Sequence, residues 1–193
     1  MPPGAVEVFV EPGRFYFCED FTRLRTVLGS CVAMTFWHPE LKIGAMSHCM
    51  LPTRAKCTGT LDGKYIDDAF ELFQLQVNRH GERLQEFQLK LFGGGEMFPD
   101  QRHDLAGSNV ARDNITAACE HATRLNLQPV AVDLGGAGHR NVFFDTWSGN
   151  VWVRYTPLNT AEGHYEENQG IASRRFCRGT SGIAGYSGKN PRH

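Results

Sequence analysis

The stretch L-G-S-C-V-A-M-T-F-W-H-P-E-L-K-I-G-A-M-S-H-C-M-L-P, residues 28–52, decides how the chain folds. Residues 32–37 and 43–50 are apolar runs of strand length on either side of a turn at His38 and Pro39. The first alternates imperfectly and reads as a strand buried on much of its surface; the second reads as its partner. Antiparallel pairing returns His48 towards the start of the first strand, where Cys31 stands. A strand rises about 3.4 Å per residue, so a hairpin is the shortest route between side chains this far apart in sequence. Side chains alternate along a strand, so Cys49 points away from the face of His48 and into the core.

Outward from this hairpin the chain alternates strands and helices. Residues 6–10 form a β-rich run closed by Glu11-Pro12-Gly13, and residues 14–18 return as a second strand. Residues 51–63 hold Pro52, glycines and small polar residues, and read as a surface loop bordering the Cys31 and His48 region. From Tyr65 the period changes. Ile66, Ala69, Phe70, Phe73 and Val77 form one stripe of a helix that Gly81 stops. Residues 84–92 return to strand character and run into Gly93-Gly94-Gly95. Ser108 or Asn109 caps a second helix carrying Ile115, Ala118 and Ala122. A strand at 130–133, the glycine cluster 135–138 and a closing hairpin around Ser148-Gly149-Asn150 follow.

The 193 residues suffice for one domain with a real core. Residues 1–157 read as that domain, and residues 158–193, rich in Gly, Ser, Asn and Arg, as a flexible tail outside it. An apolar fraction of 41% with 21% charged residues excludes disordered and fibrous classes. The net charge of −1 gives no general pull towards nucleic acid or anionic membrane. No run approaches the roughly 18 apolar residues that span a bilayer, and the N-terminus lacks a basic and apolar secretory signal. The reading is therefore a cytoplasmic protein without membrane insertion. Cys18, Cys31, Cys49, Cys57, Cys119 and Cys177 then remain thiols.

A thiol and an imidazole on one face are the minimum apparatus of acyl transfer through sulfur. Gly29 admits an unusual backbone turn, Ser30 is small, and amides exposed at such a bend, including that of Cys31, can receive a developing oxyanion. The competing readings are a buried cysteine acting as a small hydrophobe and a histidine satisfied by one hydrogen bond. His48, Cys49 and Cys57, with His103 or Cys119, do not have the spacing of a compact zinc site, and no metal or cofactor is expected. F-G-G-G-E-M lacks the lysine and hydroxyl of a phosphate loop, and D-L-G-G-A-G-H lacks dinucleotide spacing. Both clusters read as tight turns bringing strand ends to a common face. Asp133 reads as a turn-capping carboxylate rather than a catalytic one.

At these motifs the chain closely resembles the CheD family of chemoreceptor glutamine deamidases. The resemblance rests on L-G-S-C-V-A at 28–33, G-A-M-S-H-C-M-L-P at 44–52, K-L-F-G-G-G-E-M at 90–97, A-G-S-N at 106–109 and D-L-G-G at 133–136, in the family's order. It implies Cys31 as nucleophile and His48 as catalytic histidine. It also implies a threonine upstream that orients the histidine. Here the run is R-T-V-L-G-S-C, so Thr26 is the candidate, one place nearer the cysteine than in the family's common form; the backbone is the alternative third contact. The implied fold is α+β, a layered β core with outer helices, similar to toxin domains that deamidate glutamine in small GTPases. The implied substrate is glutamine on the helical cytoplasmic region of chemotaxis receptors, with glutamate methyl esters as a secondary one and a CheC-like phosphatase as partner. The alternative is a non-catalytic adaptor that binds receptors or such a phosphatase.

Overall fold

A computed structural model describes residues 1–54, 59–97 and 109–158. Its strands are β1 (Val6–Phe9), β2 (Phe15–Cys18), β3 (Thr22–Leu28), β4 (Val32–Trp37), β5 (Gly44–Cys49), β6 (Gln88–Gly93), β7 (Ala131–Leu134), β8 (Gly138–Asp145) and β9 (Val151–Pro157), and its helices α1 (Ile66–Arg79) and α2 (Val110–Arg124). The fold is α+β. A four-stranded sheet, β1-β3-β8-β9, packs on a five-stranded sheet, β2-β5-β4-β6-β7, and the two helices cover the other face of the larger sheet.

The β4–β5 hairpin forms as expected, antiparallel, with Ala33 opposite His48 and Val32 opposite Cys49. Every residue of both strands is buried, because β4 and β5 lie inside the larger sheet with apolar layers on both faces. Alternation divides their side chains. Val32, Met34, Phe36, Ala45 and Cys49 enter the helix-side core, whereas Ala33, Trp37 and Met46 enter the layer between the sheets.

The helix-side core is filled by the predicted α1 stripe: Ile66, Ala69, Phe70, Phe73 and Val77 are all buried. Asp67 and Asp68 sit in the first turn of α1 and Arg79 in its last, signs that suit the helix dipole. Each large apolar side chain buried here contributes about 1.5–3 kcal/mol. The Asn109 side chain accepts from the Arg112 backbone N–H at 3.1 Å and so caps α2, as one of the two proposed residues.

Two expectations change. Residues 6–10 and 14–18 are not one hairpin: β1 pairs in parallel with β3, while β2 pairs with β5 in the other sheet. The Glu11-Pro12-Gly13 turn carries the chain between layers rather than back along one. Residues 84–86 form a short 3-10 turn before β6, closed by the Glu86 carboxylate accepting from the Arg83 N–H at 2.8 Å. Cys57, His103, Cys177 and the segment from 159 lie outside the described residues.

Candidate active site

Thr26 and His48 face each other across the gap between the sheets. Thr26 is on the inner face of β3, only 2% exposed, and its hydroxyl donates to the Val10 carbonyl at 2.7 Å. His48, also 2% exposed, places Nδ1 2.7 Å from the same hydroxyl oxygen. A carbonyl has no proton to give, so the hydroxyl proton is committed to Val10 and Nδ1 must donate to Oγ1. The tautomer is thereby set, and Nε2 is left as the basic nitrogen. Burial holds the imidazole below its ordinary pKa, opposed by the Val10 carbonyl.

The backbone of His48 is gripped from the other side. Its N–H donates to the Arg14 carbonyl at 2.9 Å, and its carbonyl accepts from Gly13 at 2.8 Å. The turn that separates β1 from β2 therefore fixes the strand on which the histidine rides.

Cys31 stands just before β4, half-buried against the inter-sheet layer. It lies two residues before Ala33, the partner of His48, and so on the diagonal of an antiparallel pair. Diagonal roots stand about 7–8 Å apart, within reach of a long or aromatic side chain. Among the described residues no hydrogen bond is made by Cys31 Sγ. Burial pushes its thiol pKa up, so the resting group is SH and needs a base. Cys49 is wholly buried on the opposite face of β5, with its pKa pushed up to about 12 by burial. His48 and Cys49 consequently cannot share a metal ion. That removes the central pair of the zinc set considered from sequence.

The loop that carries Cys31 is held by three consecutive carbonyls. Gly29 O accepts from Gly95 N–H at 2.7 Å, Ser30 O from Asn114 Nδ2 at 3.1 Å, and Cys31 O from Gly94 N–H at 2.7 Å. The Ser30 and Cys31 N–H groups have no acceptor among the described residues, and can receive an oxyanion. The close approach requires glycine. Gly93 has φ of +108°, and a Cβ there would collide with the Cys31 carbonyl oxygen.

The second glycine cluster supports the first. Glu96 N–H donates to Gly136 O at 2.8 Å, and Gly135 N–H to Gly93 O at 2.9 Å. Arg140, 4% exposed, donates to the Gly135 carbonyl at 2.7 Å and to Asp133 Oδ1 at 2.9 and 3.1 Å. Asp133 is thus the counter-ion of a buried arginine. Neither Arg140 nor Asn114 was singled out from sequence. The signal for Asn114 was available: one amide amid Ala111, Ala117, Ala118 and Ala122 on the buried side of α2. A surface groove of about 670 Å³, lined by Gly13, Arg14, Arg54, Leu61 and Tyr65 among others, holds none of Thr26, Cys31 and His48.

A family model described as "CheD chemotactic sensory transduction" matches residues 50–155. A "probable chemoreceptor glutamine deamidase CheD" of Pseudomonas savastanoi pv. phaseolicola is 49% identical over 174 residues, covering 90% of this chain and 98% of that protein. The chain belongs to the CheD family. The family model begins after His48 and so covers none of Thr26, Cys31 and His48. The Pseudomonas fluorescens CheD protein is 48% identical over 87% of this chain and 96% of its own. A Leptospira interrogans relative, "probable chemoreceptor glutamine deamidase CheD 1", is 39% identical over 79% of this chain and 94% of its own.

Proposed function

We propose that this CheD-family chain is a protein-glutamine deamidase of chemotaxis receptors, working through a cysteine thioester. The observation that carries the mechanism is the Thr26–His48 hydrogen bond between the sheets, beside a cysteine loop whose carbonyls are all engaged. Cys31 is the nucleophile, His48 the base and acid, and Thr26 the residue that orients the imidazole.

His48 Nε2 takes the Cys31 proton as sulfur attacks the glutamine carboxamide carbon, and the carbonyl electron pair moves onto oxygen. The Ser30 and Cys31 amides receive that oxyanion. The imidazolium gives its proton to nitrogen, the C–N bond breaks and ammonia leaves a γ-glutamyl thioester. Water, losing a proton to Nε2, attacks the thioester; the C–S bond breaks and the thiol is restored with glutamate as product. A glutamate methyl ester enters the same acyl-enzyme with methanol as leaving group.

A helical receptor segment supplies binding energy away from the reacting amide, which free glutamine does not. Among the described residues no helix is long and apolar enough to cross a membrane. A cytoplasmic setting, a CheC-like phosphatase as partner and a likeness of the layered core to toxin deamidase domains belong to the same proposal. A binding-only adaptor would have no use for two unspent amides beside a thiol.

The test incubates purified protein and its Cys31→Ala variant with receptor cytoplasmic fragments. Release of ammonia, with the mass gain of –OH replacing –NH2 on defined glutamines, is expected from the first only. Equal conversion by the variant overturns the assignment.

A further inference from the structure

Asn114 is wholly buried on α2, and its Nδ2 donates to two carbonyls from different parts of the site. One is Ser30 O at 3.1 Å, immediately before the nucleophile; the other is Met50 O at 3.0 Å, two residues beyond His48. Both partners are carbonyl oxygens, so the atom facing them must be the NH2 end of the amide. Asn114 Oδ1 is buried and has no hydrogen-bond partner among the described residues. A half-satisfied amide in an alanine-lined helix face is costly where packing alone is needed, since an apolar residue of similar size would bury without that penalty.

The trans peptide explains what the amide does. The Ser30 carbonyl and the Cys31 N–H belong to one planar unit and point in opposite directions. Holding Ser30 O towards α2 therefore aims the Cys31 N–H away from α2. Gly95 does the same for the Ser30 N–H through Gly29 O. The second bond, to Met50 O, ties the end of β5 to the same amide, so the nucleophile loop and the histidine strand are referenced to one side chain.

We propose that Asn114 is a positioning residue of this site: it sets the direction of the Cys31 amide as an oxyanion donor. The inference rests on the deamidase reading and extends it to a residue that touches no substrate. It acts on steps that build an oxyanion. Simple alkylation of the same sulfur builds none.

The experiment compares wild type, Asn114→Ala and the isosteric Asn114→Asp in two reactions, with thermal unfolding measured alongside. The first is deamidation of a receptor cytoplasmic fragment, resolved into kcat and KM; the second is alkylation of Cys31 by iodoacetamide, read by mass spectrometry. Either variant is expected to lose about 10- to 100-fold in kcat with little change in KM, because an amide donor is misdirected rather than deleted. Its alkylation rate is expected to match wild type. Unchanged kcat in a folded variant overturns the proposal, as does alkylation that falls in parallel with kcat. Should Asn114→Ala fail to fold, Asn114→Asp carries the comparison, its carboxylate facing two carbonyl oxygens. A wild type that alkylates at Cys31 and deamidates no receptor fragment overturns the deamidase reading instead, and so is distinguishable.

Discussion

The two faces of the five-stranded sheet are built to different rules. On the helix side, Met34, Phe36, Leu89 and Leu91 meet Ile66, Phe70, Phe73 and Val77, with aromatic rings packed stacked or edge-on. On the other side, Leu24, Leu28, Met46, Val142 and Phe144 share the space with buried Thr26, His48 and Arg140. Each of those polar groups has a partner: Thr26 and His48 hold each other, and Arg140 holds Asp133 and Gly135. The helix-side layer stabilises the sheet. The inter-sheet layer also carries desolvated polar groups in a low dielectric, and on the helix side the buried Asn114 of α2 reaches the cysteine loop.

That division makes opposite predictions for activity and stability. Cys31→Ala is expected to abolish ammonia release from receptor fragments while leaving the unfolding transition in place; a lost fold would make Cys31 part of the structural layer. Phe73→Ala, on the helix side, should cost about 3–5 kcal/mol in urea denaturation, with kcat of the folded fraction kept. A matching fall in kcat would show that the two layers are coupled.

Thr26→Val keeps the shape of the inter-sheet layer and removes the acceptor for Nδ1–H. It should lower kcat by about 10- to 100-fold, or about 1.4–2.7 kcal/mol of barrier, and a wild-type kcat would remove Thr26 from the machinery. The pH profile sharpens the same point. Burial keeps His48 neutral below its ordinary value of 6.5, so the acid limb of kcat/KM is expected below that pH. The unfolded chain takes up the proton near pH 6.5 and the native one only at lower pH, so the contribution of His48 to stability is lost as pH falls through that window. An acid limb above pH 7 would contradict a desolvated base. The smallest effect belongs to Cys49→Ala, on the helix side of β5: at most about 1 kcal/mol of stability and no change in turnover.

Legibility in sequence followed the range of the interaction. The β4–β5 register and the opposite facing of His48 and Cys49 depend on period-two alternation across one short turn, and residues 28–52 carried that information. The α1 stripe was legible because five apolar positions recur at helical spacing. The assignment of β1 and β2 to different sheets was not, because it depends on β3 and β5, which lie further along the chain. Thr26 entered through family resemblance alone, one place out of its usual spacing. The structure pairs it with His48 because β3 carries it onto the inner face opposite β5. The glycine clusters were legible as tight turns to a common face, but not the hydrogen bonds by which Gly94 and Gly95 reach the cysteine loop. Asn114 was passed over because the helical stripe was traced through Ile115, Ala118 and Ala122.

The hydroxyl of Thr26 has one proton, and the Val10 carbonyl keeps it. Between turnovers the imidazole therefore has a single resting form available to it, with the free lone pair always on the nitrogen away from β3. In the proposed mechanism, which has two successive proton exchanges, one for ammonia and one for water, the second begins where the first began, with no ring flip or proton reshuffle in between.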